Sequence, residues 1–238
     1  MRSLIAAVSF LTRLPMPASS PSAVSRSAAW FPLVGLFIGA ILAGAAYLLR
    51  GHLPPLLVAA ILIALDALLT GALHFDGLAD TADGFGGGKG REDVLRIMRD
   101  HAIGSYGGVA LVLLVAFKLA AYAVLLFADG WLWAIALTPA IGRWAILLLA
   151  AALPYARPSN SVVREMGKSA LLWGTVILAA ATAISQLWRA GVAVAAALAV
   201  SALFGLYCRR KIGGITGDTL GANVELCECA ALIAFLWR

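Results

Sequence analysis

The sequence predicts an all-α polytopic bundle of transmembrane helices, one integral membrane domain over residues 1–238. Three observations carry that expectation. Of 238 residues, 62% are hydrophobic and 13% are charged, with a mean hydropathy of +0.94. Soluble domains hold about 45–50% apolar and about 25% charged residues, and a water-soluble fold of this length exposes too much surface to hide the difference. The apolar residues also come in runs approaching the roughly 20 that cross a bilayer. Finally, basic residues collect on alternate connections, as the positive-inside rule requires.

The elements follow in chain order. Met1–Leu14 has a basic start at Arg2 and a short apolar run, Leu4–Leu11, with small residues at Ala18-Ser19-Ser20. That resembles a cleavable signal, but Arg13, Pro15 and Pro17 follow at once, so a retained interfacial or re-entrant helix is expected. Seven segments then approach spanning length: Ala28–Leu49, Leu56–Phe75, Tyr106–Phe127, Trp131–Leu153, Ala170–Trp188, Val192–Tyr207 and Asn223–Trp237. The last two are short, so six to eight helices fit. Trp30, Trp131, Trp188 and Trp237 sit near segment ends, where an aromatic belt forms. Pro32 and Pro139 are tolerable inside a membrane bundle.

Arg2, Arg13, Arg26, Lys89, Arg91, Arg96, Arg99, Arg157, Arg164, Lys168, Arg209, Arg210 and Lys211 fall on one set of connections. The other set holds Arg50, Arg189 and Arg238. The rich side is therefore expected in the cytoplasm, with the N-terminus inside and the C-terminus outside. This explains the net charge of +6 without a nucleic-acid partner. Cys208, Cys227 and Cys229 are odd in number and form no CxxC pair, which argues against a disulfide framework.

Half of the acidic residues lie in one connection, about residues 76–105: Asp76, Asp80, Asp83, Glu92, Asp93 and Asp100. Within it, Arg91–His101 alternates charge with Val94, Leu95, Ile97 and Met98 at helical spacing, predicting an amphipathic helix. On a helix, Asp76, Asp80 and Asp83 fall within roughly 60° of one another. Three carboxylates on one face repel unless neutralised, and Mg²⁺ suits them because it takes a few carboxylates plus substrate phosphates. The same residues also read as a solvated acidic loop. Gly86-Gly87-Gly88-Lys89-Gly90 fails the phosphate-loop pattern, since Asp83 and Gly90 occupy its Gly and Ser/Thr positions. It reads as a hinge.

A second Gly-rich loop, residues 208–223, contains Gly213-Gly214-Ile215-Thr216-Gly217-Asp218 and precedes Glu225 and Glu228. Its glycines allow close backbone approach to a substrate, while Thr216 or Asp218 equally reads as a helix cap. Both acidic loops are predicted at the same membrane face. Lys118 and Arg143 lie within apolar segments, where such residues pair with acids or line a cavity. A structural pair with Asp66 is the plainer reading. His74 and His101 adjoin the acidic residues, and a lone histidine is a weak signal.

The chain resembles the cobalamin synthase family, the adenosylcobinamide-GDP ribazoletransferases, along nearly its whole length. The residues that carry the resemblance are Phe10-Leu11-Thr12-Arg13-Leu14-Pro15, Phe31-Pro32-Leu33-Val34-Gly35 and the Asp76–Gly84 block. Ile97-Met98-Arg99-Asp100, Ile103-Gly104, Thr216-Gly217-Asp218 and Gly221-Ala222 complete the set. His101 departs from the serine expected there, which puts a role for that position in doubt. The resemblance implies attack by the 3′-hydroxyl of α-ribazole, or of its 5′-phosphate, on the cobinamide-side phosphorus of adenosylcobinamide-GDP, releasing GMP. It implies Mg²⁺ as cofactor, held by Asp76, Asp80 and Asp83, in the last steps of cobalamin biosynthesis at the inner membrane. Candidate catalytic residues are Asp83 and Asp218, either of which takes the hydroxyl proton, with Arg143 and Lys118. Candidate substrate-binding residues are Arg13, Arg99, Asp100, Gly217 and Gly221. Homo-oligomerisation is left open. A CDP-alcohol phosphotransferase wants an Ala-Arg pair where Ala79-Asp80 stands, and an aspartate-rich prenyltransferase wants a second full acidic motif. A transporter using Asp66, Lys118 and Arg143 along a pathway is the alternative from another class.

Overall fold

The computed structural model describes residues 2–17, 19–157, 166 and 168–237. Ala18, Arg164 and Arg238, which entered the readings above, lie outside the described residues. The helices are α1 (Arg2–Leu11), α2 (Pro21–Ser27), α3 (Phe31–Leu49), α4 (Pro55–Thr70), α5 (Leu73–Gly87), α6 (Arg91–Ile97), α7 (Ser105–Leu125), α8 (Trp131–Ala152), α9 (Lys168–Ser185), α10 (Trp188–Ile212) and α11 (Gly217–Leu236), with a 3₁₀ turn at Ala28–Trp30 before α3. No strand occurs among the described residues. Among the described residues, six helical segments are long and apolar enough to cross a membrane, and the bent pair α4 and α5 makes a seventh if taken as one broken span. The chain reads as a multi-pass membrane protein.

Two expected segments were drawn too short. α10 and α11 have 25 and 20 residues, because hydropathy stops counting at polar residues that the fold satisfies. Arg209, Arg210 and Lys211 fall in the last turn of α10, where cations favour the helix dipole. α11 begins six residues before Asn223, since the Thr216 hydroxyl accepts from the backbone N–H of Thr219 (3.2 Å) and the Thr219 hydroxyl accepts from that of Thr216 (2.8 Å). Thr216, then, is the cap and Asp218 is not. Residues 213–216 are what remains non-helical of the second loop. The first loop is also mostly helix, with α5 carrying all three aspartates of its block and α6 covering part of the expected amphipathic run.

α8 and α11 form the centre: 83% and 72% of their apolar windows are buried inside the protein, against 28% for α7, α9 and α10. The latter helices keep apolar side chains such as Leu113, Trp173 and Leu203 on the outside, as lipid demands. α3 lies close on α8 through Gly35 and Gly39, where a Cβ would stand 2.4 Å from the Pro139 carbonyl oxygen and 2.1 Å from that of Ala136. Small residues four apart are the usual means of such approach between membrane helices. α1, too short to span, packs against α2 and α3 with Leu11 fully buried.

The chain turns sharply between α4 and α5, which meet at 91°. Gly71 and Ala72 both take left-handed backbone there (φ +65° and +56°), and a Cβ on Gly71 would also strike the Arg13 side chain. At the same end of the bundle, residues 154–156 pair with Ile215: Ala156 N–H donates to its carbonyl (2.8 Å) and Ile215 N–H to that of Pro154 (2.9 Å). Gly214 has no room for a side chain, its Cβ position lying 2.1 Å from the Pro154 oxygen. Arg91 ties α6 to this pairing by donating to Ile212 O (2.9 Å) and Ala156 O (2.8 Å). The two motif-bearing connections, far apart in sequence, therefore meet at one end.

Candidate active site

α5 crosses the start of α11 glycine against glycine. A Cβ on Gly77 would lie 2.7 Å from the Asp218 carbonyl oxygen, and one on Gly221 would lie 3.3 Å from the His74 Cα. This contact brings the aspartate face of α5 against Asp218. Beside it is a cavity of about 210 Å³ reached by Phe10 and Leu11 of α1, Leu73, His74, Asp76 and Gly77 of α5, Ile146, Met166, and Gly217, Asp218, Leu220 and Gly221 of α11. Its lining is mostly apolar and includes the carboxylates of Asp76 and Asp218.

The four aspartates are not equivalent. Asp83 is buried and its two oxygens accept the backbone N–H groups of Gly104 (2.7 Å) and Gly107 (2.8 Å), so it anchors the N-terminus of α7, where a negative charge is favoured. Asp218 accepts from Arg157 (3.0 Å) and from the Thr216 hydroxyl (3.3 Å). The carboxylates of Asp76 and Asp80 make no hydrogen bond or ion pair with any described residue. Asp80 nonetheless feels the charges of Asp76, Asp218 and Asp83, opposed by that of Arg157. Two unspent carboxylates beside a third acid form a site with excess negative charge and hard oxygen donors.

Of the other expected site residues, Gly217 and Gly221 line the cavity. Arg13 is exposed and lies over Gly71. Arg99 and Asp100 are exposed after α6, and Asp100 accepts from the Ala102 N–H (3.1 Å) within its own turn. None of these three lines the cavity.

Lys118 and Arg143 are not at the mouth; they are 1% and 0% exposed. Lys118 Nζ sits 2.5 Å from Glu225, 2.7 Å from Glu228 and 3.9 Å from Asp66. Arg143 pairs with Glu228 and, at 3.5 Å, with Asp66. The structural pairing with Asp66 is thus present, within a larger network. Asp66, Glu225 and Glu228 are the one trio of His, Cys, Asp or Glu residues among those described whose ligand atoms all lie within 4.8 Å of each other, and by spacing could hold a metal ion. A metal would compete there with the Lys118 ammonium. Removing one partner of a buried pair typically costs about 3–5 kcal/mol. Lys118→Met, leaving Glu225 and Glu228 short of a cation, should thus lower the thermal unfolding midpoint in detergent markedly. A midpoint unchanged from wild type would show that the network does not hold the helices together.

Sequence reasoning passed over four contributors. Arg157 was counted only for its charge, since nothing local announces that the pairing of residues 154–156 with Ile215 delivers it to Asp218. Glu225 and Glu228 were noted after the second loop but not matched to Lys118. Their i, i+3 spacing on an apolar helix was the available signal, because ionised groups at membrane depth need partners. His74, set aside as a lone histidine, is buried between the network and the cavity.

Comparison with known proteins places the chain in a family. A family model described as Cobalamin-5-phosphate synthase matches residues 3–236. The chain is 37% identical over 238 residues to the adenosylcobinamide-GDP ribazoletransferase of Chlorobium phaeobacteroides (strain BS1), covering 96% of this chain and 94% of that protein. It is 40% identical over 245 residues to that of Pseudomonas aeruginosa (strain UCBPP-PA14), covering 98% and 97%. With the protein of that name from Ectopseudomonas mendocina (strain ymp) it shares 42% identity over 239 residues, 96% of each chain. No solved structure gives a significant match.

Proposed function

Because this chain belongs to the cobalamin-5-phosphate synthase family, we propose that it is an adenosylcobinamide-GDP ribazoletransferase. It joins the adenosylcobinamide-phosphate group to α-ribazole or its 5′-phosphate and releases GMP. The observation that supports the reading best is the meeting of Asp76 and Asp80, unspent by the protein, with Asp218 and Arg157 beside a partly apolar cavity.

The chemistry follows from those groups. A ribazole hydroxyl oxygen forms a bond to the cobinamide-side phosphorus while the bond from that phosphorus to the GMP oxygen breaks. Asp218, lining the cavity as an acceptor, takes the hydroxyl proton. Asp76 and Asp80, with Asp83 behind them, fit a divalent cation by charge and donor type; Mg²⁺ there would offset diphosphate charge and stabilise the leaving phosphate. Arg157 holds Asp218 in place and adds positive charge near the diphosphate. Lys118 and Arg143, enclosed in the ion network, hold α7, α8 and α11 in register around the site. The mid-helix charges that would suit a transporter are paired with one another.

The direct test is GMP release by purified protein given adenosylcobinamide-GDP and α-ribazole. Release that needs both substrates supports the assignment, and none under conditions where a relative is active removes it.

The site faces the cytoplasm of an inner-membrane protein in this reading. Lys89→Cys and Arg210→Cys, both exposed, should be labelled by an impermeant thiol reagent only after the cells are opened. Gly51→Cys, with nothing near its added side chain, should label in intact cells. The opposite pattern would invert the topology.

A further inference from the structure

We infer that His74 binds the substrate, donating a hydrogen bond from Nε2–H to a phosphoryl oxygen of the ligand in the α5/α11 cavity; the inference rests on the phosphoryl-transfer reading of that site.

The contact with Arg143 fixes the tautomer of His74. Arg143 Nη2 lies 3.4 Å from His74 Nδ1. An arginine side chain donates and cannot accept, so Nδ1 must present its lone pair to the guanidinium. A neutral imidazole with a bare Nδ1 carries its hydrogen on Nε2. Arg143 is held in turn by Glu228 and Asp66, so the buried ion network fixes both the ring orientation and the position of the proton.

This proton has no partner among the described residues. His74 is 3% exposed, and its Nε2 makes no hydrogen bond to any of them. Burying a donor unsatisfied is costly, typically about 1–3 kcal/mol, and such groups call for a reason. The side chain also lines the cavity. Among the cavity-lining side chains, Phe10, Leu11, Leu73, Ile146, Met166 and Leu220 are apolar or without a donor, and Asp76 and Asp218 are acceptors as carboxylates. Among the described lining residues, His74 is thus the one side chain with an N–H to offer. The division of labour is complementary: Asp218 accepts from the attacking hydroxyl, and His74 donates to an oxygen that gains charge as the phosphorus is attacked.

The test reads the proton and the ligand separately. In the full-length protein in lipid nanodiscs, ¹⁵N spectra of labelled histidine, assigned by loss of the signal in His74→Gln, should show a bare Nδ1 and a protonated Nε2. The Nε2 signal should move on adding adenosylcobinamide-GDP or inorganic pyrophosphate and stay put with adenosylcobinamide, which lacks the phosphate. An imidazolium, a proton on Nδ1, no movement with either phosphate compound, or movement with adenosylcobinamide would each overturn the inference. Should pyrophosphate move the signal while no GMP is ever released, the role of His74 as a phosphate donor stands and the proposed reaction falls. In turnover, His74→Phe, which keeps bulk and loses the donor, should lower kcat/KM by about 10–100-fold, the size of a hydrogen bond to a charged group. His74→Gln retains an N–H near the same place and should stay within a few-fold of wild type. Wild-type turnover in His74→Phe would also overturn the inference.

Discussion

Asp80→Asn should cut GMP release by about 10²–10³-fold, the usual cost of losing one electrostatic contact to a transition state, while the protein still inserts and folds. The folding half follows from the contacts. The Asp80 carboxylate makes no hydrogen bond or ion pair with any described residue, and Asp76, Asp83 and Asp218 all repel it. Asparagine keeps the shape and removes that repulsion, so the unfolding midpoint should hold or rise. The catalytic half follows from the cation reading: with one ligand lost, residual activity should need more Mg²⁺ than wild type. Asp76→Asn should behave alike, for the same absence of protein contacts. Asp83→Asn should differ, because its carboxylate anchors Gly104 and Gly107 at the start of α7; there, activity and stability should fall together. Near-normal turnover by Asp80→Asn at limiting Mg²⁺ would sink the metal assignment.

Asp218→Asn and Asp218→Ser should each lower kcat by about 10²–10⁴-fold, the range for general-base assistance. Thr216 and Thr219 already cap α11, so neither substitution removes a cap and both proteins should fold. The competing role is to hold Arg157, at 3.0 Å. Arg157→Gln separates the two. If Asp218 only positions the guanidinium, losing either partner should give the same fall in kcat. If it takes the proton, the Asp218 variants should be slower than Arg157→Gln. Normal turnover in the Asp218 variants at saturating substrate would confine the site to α5.

The membrane bundle was legible because lipid is an undiscriminating solvent. It asks for length and hydrophobicity, and both are visible one residue at a time, as in Ser105–Leu125 and Trp131–Ala152. The aspartate block was legible too, since a run of acids beside an apolar helix has few uses. Helix ends were harder. Hydropathy cut α10 and α11 short, because the missed turns carry charged or small polar residues that the helices nonetheless include, Arg209, Arg210 and Lys211 at the end of α10 and Gly217, Asp218 and Thr219 at the start of α11.

What the sequence by itself determined, then, is the class of fold, the two motif-bearing regions and the family resemblance. Only the tertiary structure decided how the acids are spent. Asp76, Asp80 and Asp83 look alike in a string and share a helix face, but Asp83 is committed to backbone donors of α7 while the other two carboxylates have no hydrogen-bond or ion-pair partner among the described residues. Lys118 and Arg143 could equally have lined a pathway or a pocket; contacts with α4 and α11 made them a closed network. His74 became informative only when Arg143 was found on one side of its ring and a cavity beside it. The reason is common to all of these. Hydrophobicity acts through each residue's own contact with solvent, so it adds up along the chain. A hydrogen bond or ion pair depends on distance and direction to a partner from another helix, and those exist only once the helices have packed.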